Sequence, residues 1–175
     1  GLAAGQEVRL RLEVREAAEG NQTEFVFDPA ALGIETTGPL TRPDFLAIIS
    51  SHVIGRVMVR KASGRVDGFV VENHTAGGHN APPRQNGTRP GEEPAYTERD
   101  IPDMERIAEL GLPFWIAGSC ASREKLDEAF AMGAAGIQIG SAFAFCRESG
   151  ITPELKRRAL DESRACRLKV LTDFR

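Results

Sequence analysis

Residues 66–84 read Val66-Asp67-Gly68-Phe69-Val70-Val71-Glu72-Asn73-His74-Thr75-Ala76-Gly77-Gly78-His79-Asn80-Ala81-Pro82-Pro83-Arg84. The segment VDGFVVE (66–72) is a short apolar run without polar alternation, the pattern of a strand covered on both faces. It stops at Glu72, and the chain then leaves through two adjacent glycines and presents a histidine. The loop continues to Asp100 with Gly87, Gly91 and further prolines. Strand-to-helix loops are usually about 2–6 residues, and longer ones tend to be functional. Because Gly77 and Gly78 lack a Cβ, the backbone there can take up positive φ and approach a flat ligand.

The same rhythm runs outward on both sides. Upstream, FLAIIS (45–50) reads as a strand and 51–62 as a helix with Val53, Ile54, Val57 and Met58 facing inward. Downstream, a helix near 102–110 is bracketed by Pro102 and Gly111. PFWIAG (113–118) is the next strand, with one of Phe114 and Trp115 filling the core. A helix capped by Ser122 follows, in which Leu126, Ala129, Phe130 and Gly133 recur at helical spacing. GIQIG (136–140) is a fourth strand, and Thr152-Pro153-Glu154 opens a last helix with Thr152 as cap. Four consecutive strand–helix units imply a parallel sheet with right-handed crossovers. A doubly wound sheet and a (β/α)8 barrel both satisfy this, and four strands would make only half a barrel. Ahead of these units, EVRLRLEVR (7–15) alternates strictly and TEFVFDP (23–29) is a second strand, together a two-stranded ribbon with one wet face. Residues 30–44 read as loop.

Composition bounds the function. The chain has 175 residues, 22 basic and 25 acidic, for a formal charge of −3. That balance offers no electrostatic reason to expect nucleic acid or an anionic membrane as partner. No apolar run reaches the roughly 18 residues of a membrane span. Cys120, Cys146 and Cys166 match neither a zinc knuckle nor a dithiol motif, so reduced thiols in a cytoplasm are expected. The chain opens without Met and stops just past a helix, which reads as a piece of a longer protein.

In either architecture, ligands bind beyond the carboxyl ends of the strands. The loop after Glu72 would bring His79 there, and an imidazole titrating near about 6.5 can accept a proton at neutral pH. His74 and His52 read as structural. Two small-residue turns follow at successive strand ends, Ala117-Gly118-Ser119-Cys120-Ala121 and Ile139-Gly140-Ser141-Ala142. Such turns make phosphate sites from backbone N–H groups and helix dipoles. Cys120 at a helix N-terminus is a weaker candidate, as a nucleophile. Arg84 and the other loop charges read as a solvated face, with Arg84 within reach of an anionic substrate.

The ordered set GFVVENHTAGGHNAPPR, then PFWIAGSCASREKLDEAFAMGAAGIQIGSAF, resembles the nitronate monooxygenase (2-nitropropane dioxygenase-like) family over about residues 45–150. The resemblance implies an α/β fold: the second half of an FMN-binding TIM barrel, strands five to eight, over 45–170. Residues 1–44 would be a ribbon-and-loop excursion and 171–175 the start of a post-barrel segment. It further implies FMN as cofactor, with His79 as the catalytic base. Glu72, Gly77 and Gly78 would contact the flavin, while Gly118, Ser119, Gln138, Gly140 and Ser141 hold its phosphate. Substrate would be a nitronate or nitroalkane with O2, in a cytoplasmic protein that could form a homo-oligomer. The sequence departs from the family pattern at Asn73, Thr75, Ser119-Cys120 and Ser141; Asn73 stands where glycine is common, so its backbone is a candidate for the left-handed region. A flavin enoyl-thioester reductase using NAD(P)H resembles the same loops. Two further alternatives are a flavin-free phosphate-binding isomerase and a catalytically silent half-barrel with open sheet edges.

Overall fold

A computed structural model describes residues 7–12, 23–33, 41–84, 95–169 and 172–173. The chain divides into two compact units, Gly1–Pro43 and Asp44–Arg175. In the first, strand β1 (Val8–Leu12) pairs antiparallel with β2 (Thr23–Phe27), Val8 opposite Phe27 and Leu12 opposite Thr23. Arg9 and Glu24 form a cross-strand ion pair at 3.5 Å on the charged face. Residues 13–15 of the expected first strand and 34–40 of the expected loop lie outside the described residues.

The second unit holds the expected parallel sheet. Its strands are β3 (Leu46–Ile49), β4 (Gly68–Glu72), β6 (Phe114–Ala117) and β7 (Gly136–Gln138), in that spatial order. Between them run helices α1 (His52–Lys61), α2 (Met104–Ala108) and α3 (Arg123–Ala131). Beyond β7 come α4 (Ser141–Ala144) and α5 (Pro153–Arg164). Two short strands outside the sheet, β5 (Gly78–His79) and β8 (Thr172–Asp173), pair parallel with each other. Among the described residues no helix is long and apolar enough to cross a membrane.

The register sorts every sheet residue onto one of two faces. Ala47 pairs with Phe69 and Phe69 with Phe114; Ile49, Val71, Ile116 and Ile137 form the next row. These rows, with Ile107 from α2 and Ala129 from α3, make the core, in which Phe69, Val71 and Ile107 are wholly buried. Alternate residues face the other way: Ile48, Val70, Trp115 and Gly136 in one row, then Glu72, Ala117 and Gln138 at the carboxyl end. Strand β4 is covered on both faces as its sequence suggests, but edge strand β3 alternates, and Ile48 is 60% exposed. The reason is positional. An edge strand has one neighbour, and the helices cover only the Ala47/Ile49 face.

Three local expectations change. On α1 the inward position is Gly55, while Val53, Ile54 and Val57 are exposed and only Met58 packs against the core. A Cβ at Gly55 would stand 2.7 Å from Leu110 Cδ1 and 3.1 Å from Ile49 Cδ1. Glycine therefore lets the helix backbone lie directly on the sheet and rotates the apolar stripe outward. On α3 Ala129 is buried, but Phe130 is 53% exposed. Ser51 and Ser122 cap α1 and α3 through their hydroxyls, whereas the Thr152 side chain makes no such bond at α5. Of the two aromatics on β6, Phe114 fills the core, and Trp115 lies against Gly136.

Candidate functional site

Strand pairing carries Glu72, Ala117 and Gln138 to one row at the carboxyl edge of the sheet. The loop after Glu72 is tightly organised. Asn73 Oδ1 accepts from Thr75 N (2.8 Å), and the Asn73 carbonyl accepts from Ala76 N (3.1 Å) and from Asn80 Nδ2 (2.8 Å). The side chain of Asn73 thus closes an Asx turn, and Asn73 itself does not enter the left-handed region. Of the glycine pair, Gly78 does, at φ +89°.

The loop after β6 is packed directly against this turn. Gly118 has φ +103°, and a Cβ there would lie 2.5 Å from Asn73 Oδ1, 2.8 Å from Thr75 Oγ1 and 2.9 Å from Ala76 N. Only glycine meets both the angle and the space. Ser119 follows at φ 51°, a positive angle on a residue with a side chain; its hydroxyl reaches the Thr75 carbonyl at 3.5 Å. Cys120 is buried and its Sγ lies 2.9 Å from the Gly118 carbonyl. Burial pushes its thiol pKa up, outweighing the pull of Lys125. That is the reverse of an activated nucleophile. The loop after β7 opens α4, where the Gly140 carbonyl accepts from Phe143 N and Ala144 N, both at 3.0 Å. A helix so soon after the β7 turn was not legible in the sequence, because four residues carry no period.

These three loops line a single cleft of about 370 Å³. Glu72, Gly77, Gly118, Ser119, Gln138, Gly140 and Ser141 all border it, with alanines between them. Its walls are mostly Gly, Ala and Ser from the turns ahead of α3 and α4, residues whose backbone amides and hydroxyls are a donor set of the kind that holds a phosphate. Glu72, the one carboxylate on the cleft among the described residues, would repel a phosphate, which leaves the turns after β6 and β7 as the place for one. The small-residue turns after β6 and β7 therefore fit a phosphate-bearing ligand such as FMN.

Gly78 and His79 do not border that cleft. His79, exposed on β5, lines an adjoining cavity of about 490 Å³ together with Ile48, Ile54, Pro82 and Glu72. Glu72 is the wall common to both spaces. In β5, Gly78 stands opposite Thr172 and His79 opposite Asp173, so residues far along the chain return to the glycine–histidine turn. His74 stacks on Tyr96, ring centroids 5.2 Å apart and 16° between planes.

Arg84 is exposed, as expected of a solvated face, but its guanidinium is held by backbone carbonyls. Its Nη2 donates to the Ser50 carbonyl at 2.9 Å, its Nη1 donates to the Arg99 carbonyl, and its backbone N–H donates to Asp100 Oδ1 at 2.8 Å. Asp100 Oδ2 accepts from Thr97 N at 2.8 Å. The sequence signal for this knot is Thr97-Glu98-Arg99-Asp100, a capping pattern with an acid at its fourth position. Burial would raise the Asp100 pKa, but the bonds from Arg84 and Thr97 outweigh it and hold the carboxyl below its ordinary range. A pKa lower in the folded state stabilises above the unfolded value of about 3.9 and is lost as pH falls through the folded one. Asp100→Ala, which strands two N–H donors, is expected to cost about 2–4 kcal/mol at pH 7. Denaturant titrations at pH 7 and near pH 3 should show that deficit shrinking in acid.

A family model described as "Nitronate monooxygenase" matches residues 21–175. The comparison with curated proteins finds no match. Among solved structures, a FabK point mutant from Thermotoga maritima is similar at 23% identity and a TM-score of 0.48. The alignment covers 66% of this chain and 33% of that one, so the chain spans about a third of that protein's length. With the family model matching most of its residues, the chain belongs to the nitronate monooxygenase family.

Proposed function

We propose that this protein oxidises alkyl nitronates with O2, and neutral nitroalkanes by way of them, without a nicotinamide. The observation that supports this most is the single cleft on which the three strand-following loops converge, bordered by Gly77, Gly118, Ser119, Gln138, Gly140 and Ser141. Bound there, FMN supplies the electron-accepting and O2-reducing chemistry. The turns at Gly118-Ser119 and Gly140-Ser141 bind its phosphate through backbone N–H groups and hydroxyls. Glu72, Gln138 and Gly77, all on this cleft, would border the flavin, and Gly77 would leave room for it.

His79 takes the α-proton of a neutral nitroalkane. The C–H electron pair becomes the carbon–nitrogen double bond of the nitronate, and the proton passes to the imidazole. A substrate lying over Glu72 spans the two spaces that this carboxylate separates. The three cysteines are free, in keeping with a reducing compartment, and we place the protein in the cytoplasm.

The test is oxygen uptake by the flavin-loaded protein with an alkyl nitronate and no NAD(P)H. The expected result is a yellow protein that consumes O2 under those conditions. Oxidation of NAD(P)H in the presence of an enoyl thioester, with indifference to nitronate, would replace this reading by the reductase one. A protein that takes up no flavin would remove both.

A further inference from the structure

We propose that Glu72 is the countercharge of His79, a positioning residue whose carboxylate stabilises the imidazolium formed when the histidine takes the substrate proton. This rests on the base role given to His79 above and adds to it a residue otherwise seen only as a flavin contact.

The geometry comes from the end of β4. Glu72 borders both the 370 Å³ cleft and the 490 Å³ cavity that holds His79, and it is the only carboxylate on either among the described residues. The other charged or titratable groups around it are engaged elsewhere. His74, Arg84 and Asp100 share with Glu72 a polar space of about 20 Å³. Within it His74 stacks on Tyr96, Arg84 is bound to the Ser50 and Arg99 carbonyls, and Asp100 accepts from Arg84 and Thr97. On β8, Asp173 occupies the register position opposite His79 and is the rival for the same role. Electrostatics agree with Glu72: burial pushes its carboxyl pKa up, and the positive charge of His79 draws it back.

The proton count closes. The α-carbon loses H⁺ to His79, the nitronate carries the negative charge, and Glu72 faces the new cation without itself taking the proton. After the nitronate is consumed, the imidazolium releases its proton to solvent, to which His79 is exposed. Because that exposure raises the effective dielectric, the benefit is expected to be modest, about tenfold.

The experiment has two arms. In steady-state kinetics with the flavin-loaded protein, Glu72→Gln should lower kcat/KM for a neutral nitroalkane about tenfold more than it lowers kcat/KM for the preformed nitronate. Glu72→Asp should recover part of the loss. Equal loss on both substrates would overturn the proposal in favour of a flavin contact alone, and so would the same split from Asp173→Asn with none from Glu72→Gln. The second arm needs no flavin and no turnover. Carboxyl-carbon NMR of Glu72 should show its titration moving to higher pH in His79→Gln, since a favourable charge interaction is lost. An unmoved titration sinks the pairing even if His79 proves to be the base. A moved titration in a protein inert to nitronates keeps the pairing and sinks the function.

Discussion

Replacing His79 by alanine is expected to lower kcat/KM for a neutral nitroalkane by about 10²–10⁴-fold, the usual worth of a positioned general base. The preformed nitronate already lacks the α-proton, so its oxidation should stay within about tenfold of the wild type. Oxygen uptake measured with each substrate separates the two. The asymmetry matters more than the size of either loss. A histidine that merely holds the turn would reduce both rates together, because β5 carries Gly78 and His79 as one paired unit against β8. Exposure of His79 makes the substitution structurally mild, so the kinetic comparison is not confused with unfolding.

Among the described glycines, Gly118→Ala is expected to be the most damaging added methyl. The left-handed φ of +103° and contacts at 2.5, 2.8 and 2.9 Å act together at that position. Those contacts are a turn-forming amide oxygen, a hydroxyl and a backbone nitrogen, none of which can swing aside without opening the Asn73 turn. A loss of about 3 kcal/mol in denaturant-unfolding stability is expected. Flavin affinity, read by fluorescence titration, should fall by roughly 100-fold or more, because both walls of the cleft move. Gly140→Ala is the matched control for stability: a Cβ at Gly140 meets nothing within 4 Å, so the fold should hold.

The contrast between those two glycines shows where sequence reading stops. Both end strands, and both were candidates for the same phosphate-binding role. The φ of +103° at Gly118 and its close approach to Asn73, far back along the chain, distinguish a position that admits no side chain from one that does. The same limit applies to Ser119, whose positive φ is not announced by its residue type or its neighbours. Arg84 is another case. Its charge is visible in the sequence, but its partners are the carbonyls of Ser50 and Arg99, supplied by other segments.

What the sequence by itself determined is the alternation of strand and helix, the carboxyl end of β4, the Ser122 cap, and the three strand-following loops at one edge of a parallel sheet. Each of these is written within a turn or two of chain, in hydrophobic period, capping chemistry and glycine placement. The tertiary structure decided which face of α1 turns inward, which glycine needs its missing Cβ, and that His79 stands beside the cleft, with Glu72 between. Those outcomes depend on atoms brought together from distant positions, as when Gly55 settles among Ile49, Phe69 and Leu110. Local propensity sets the elements, and the fit of their surfaces sets where each side chain ends up.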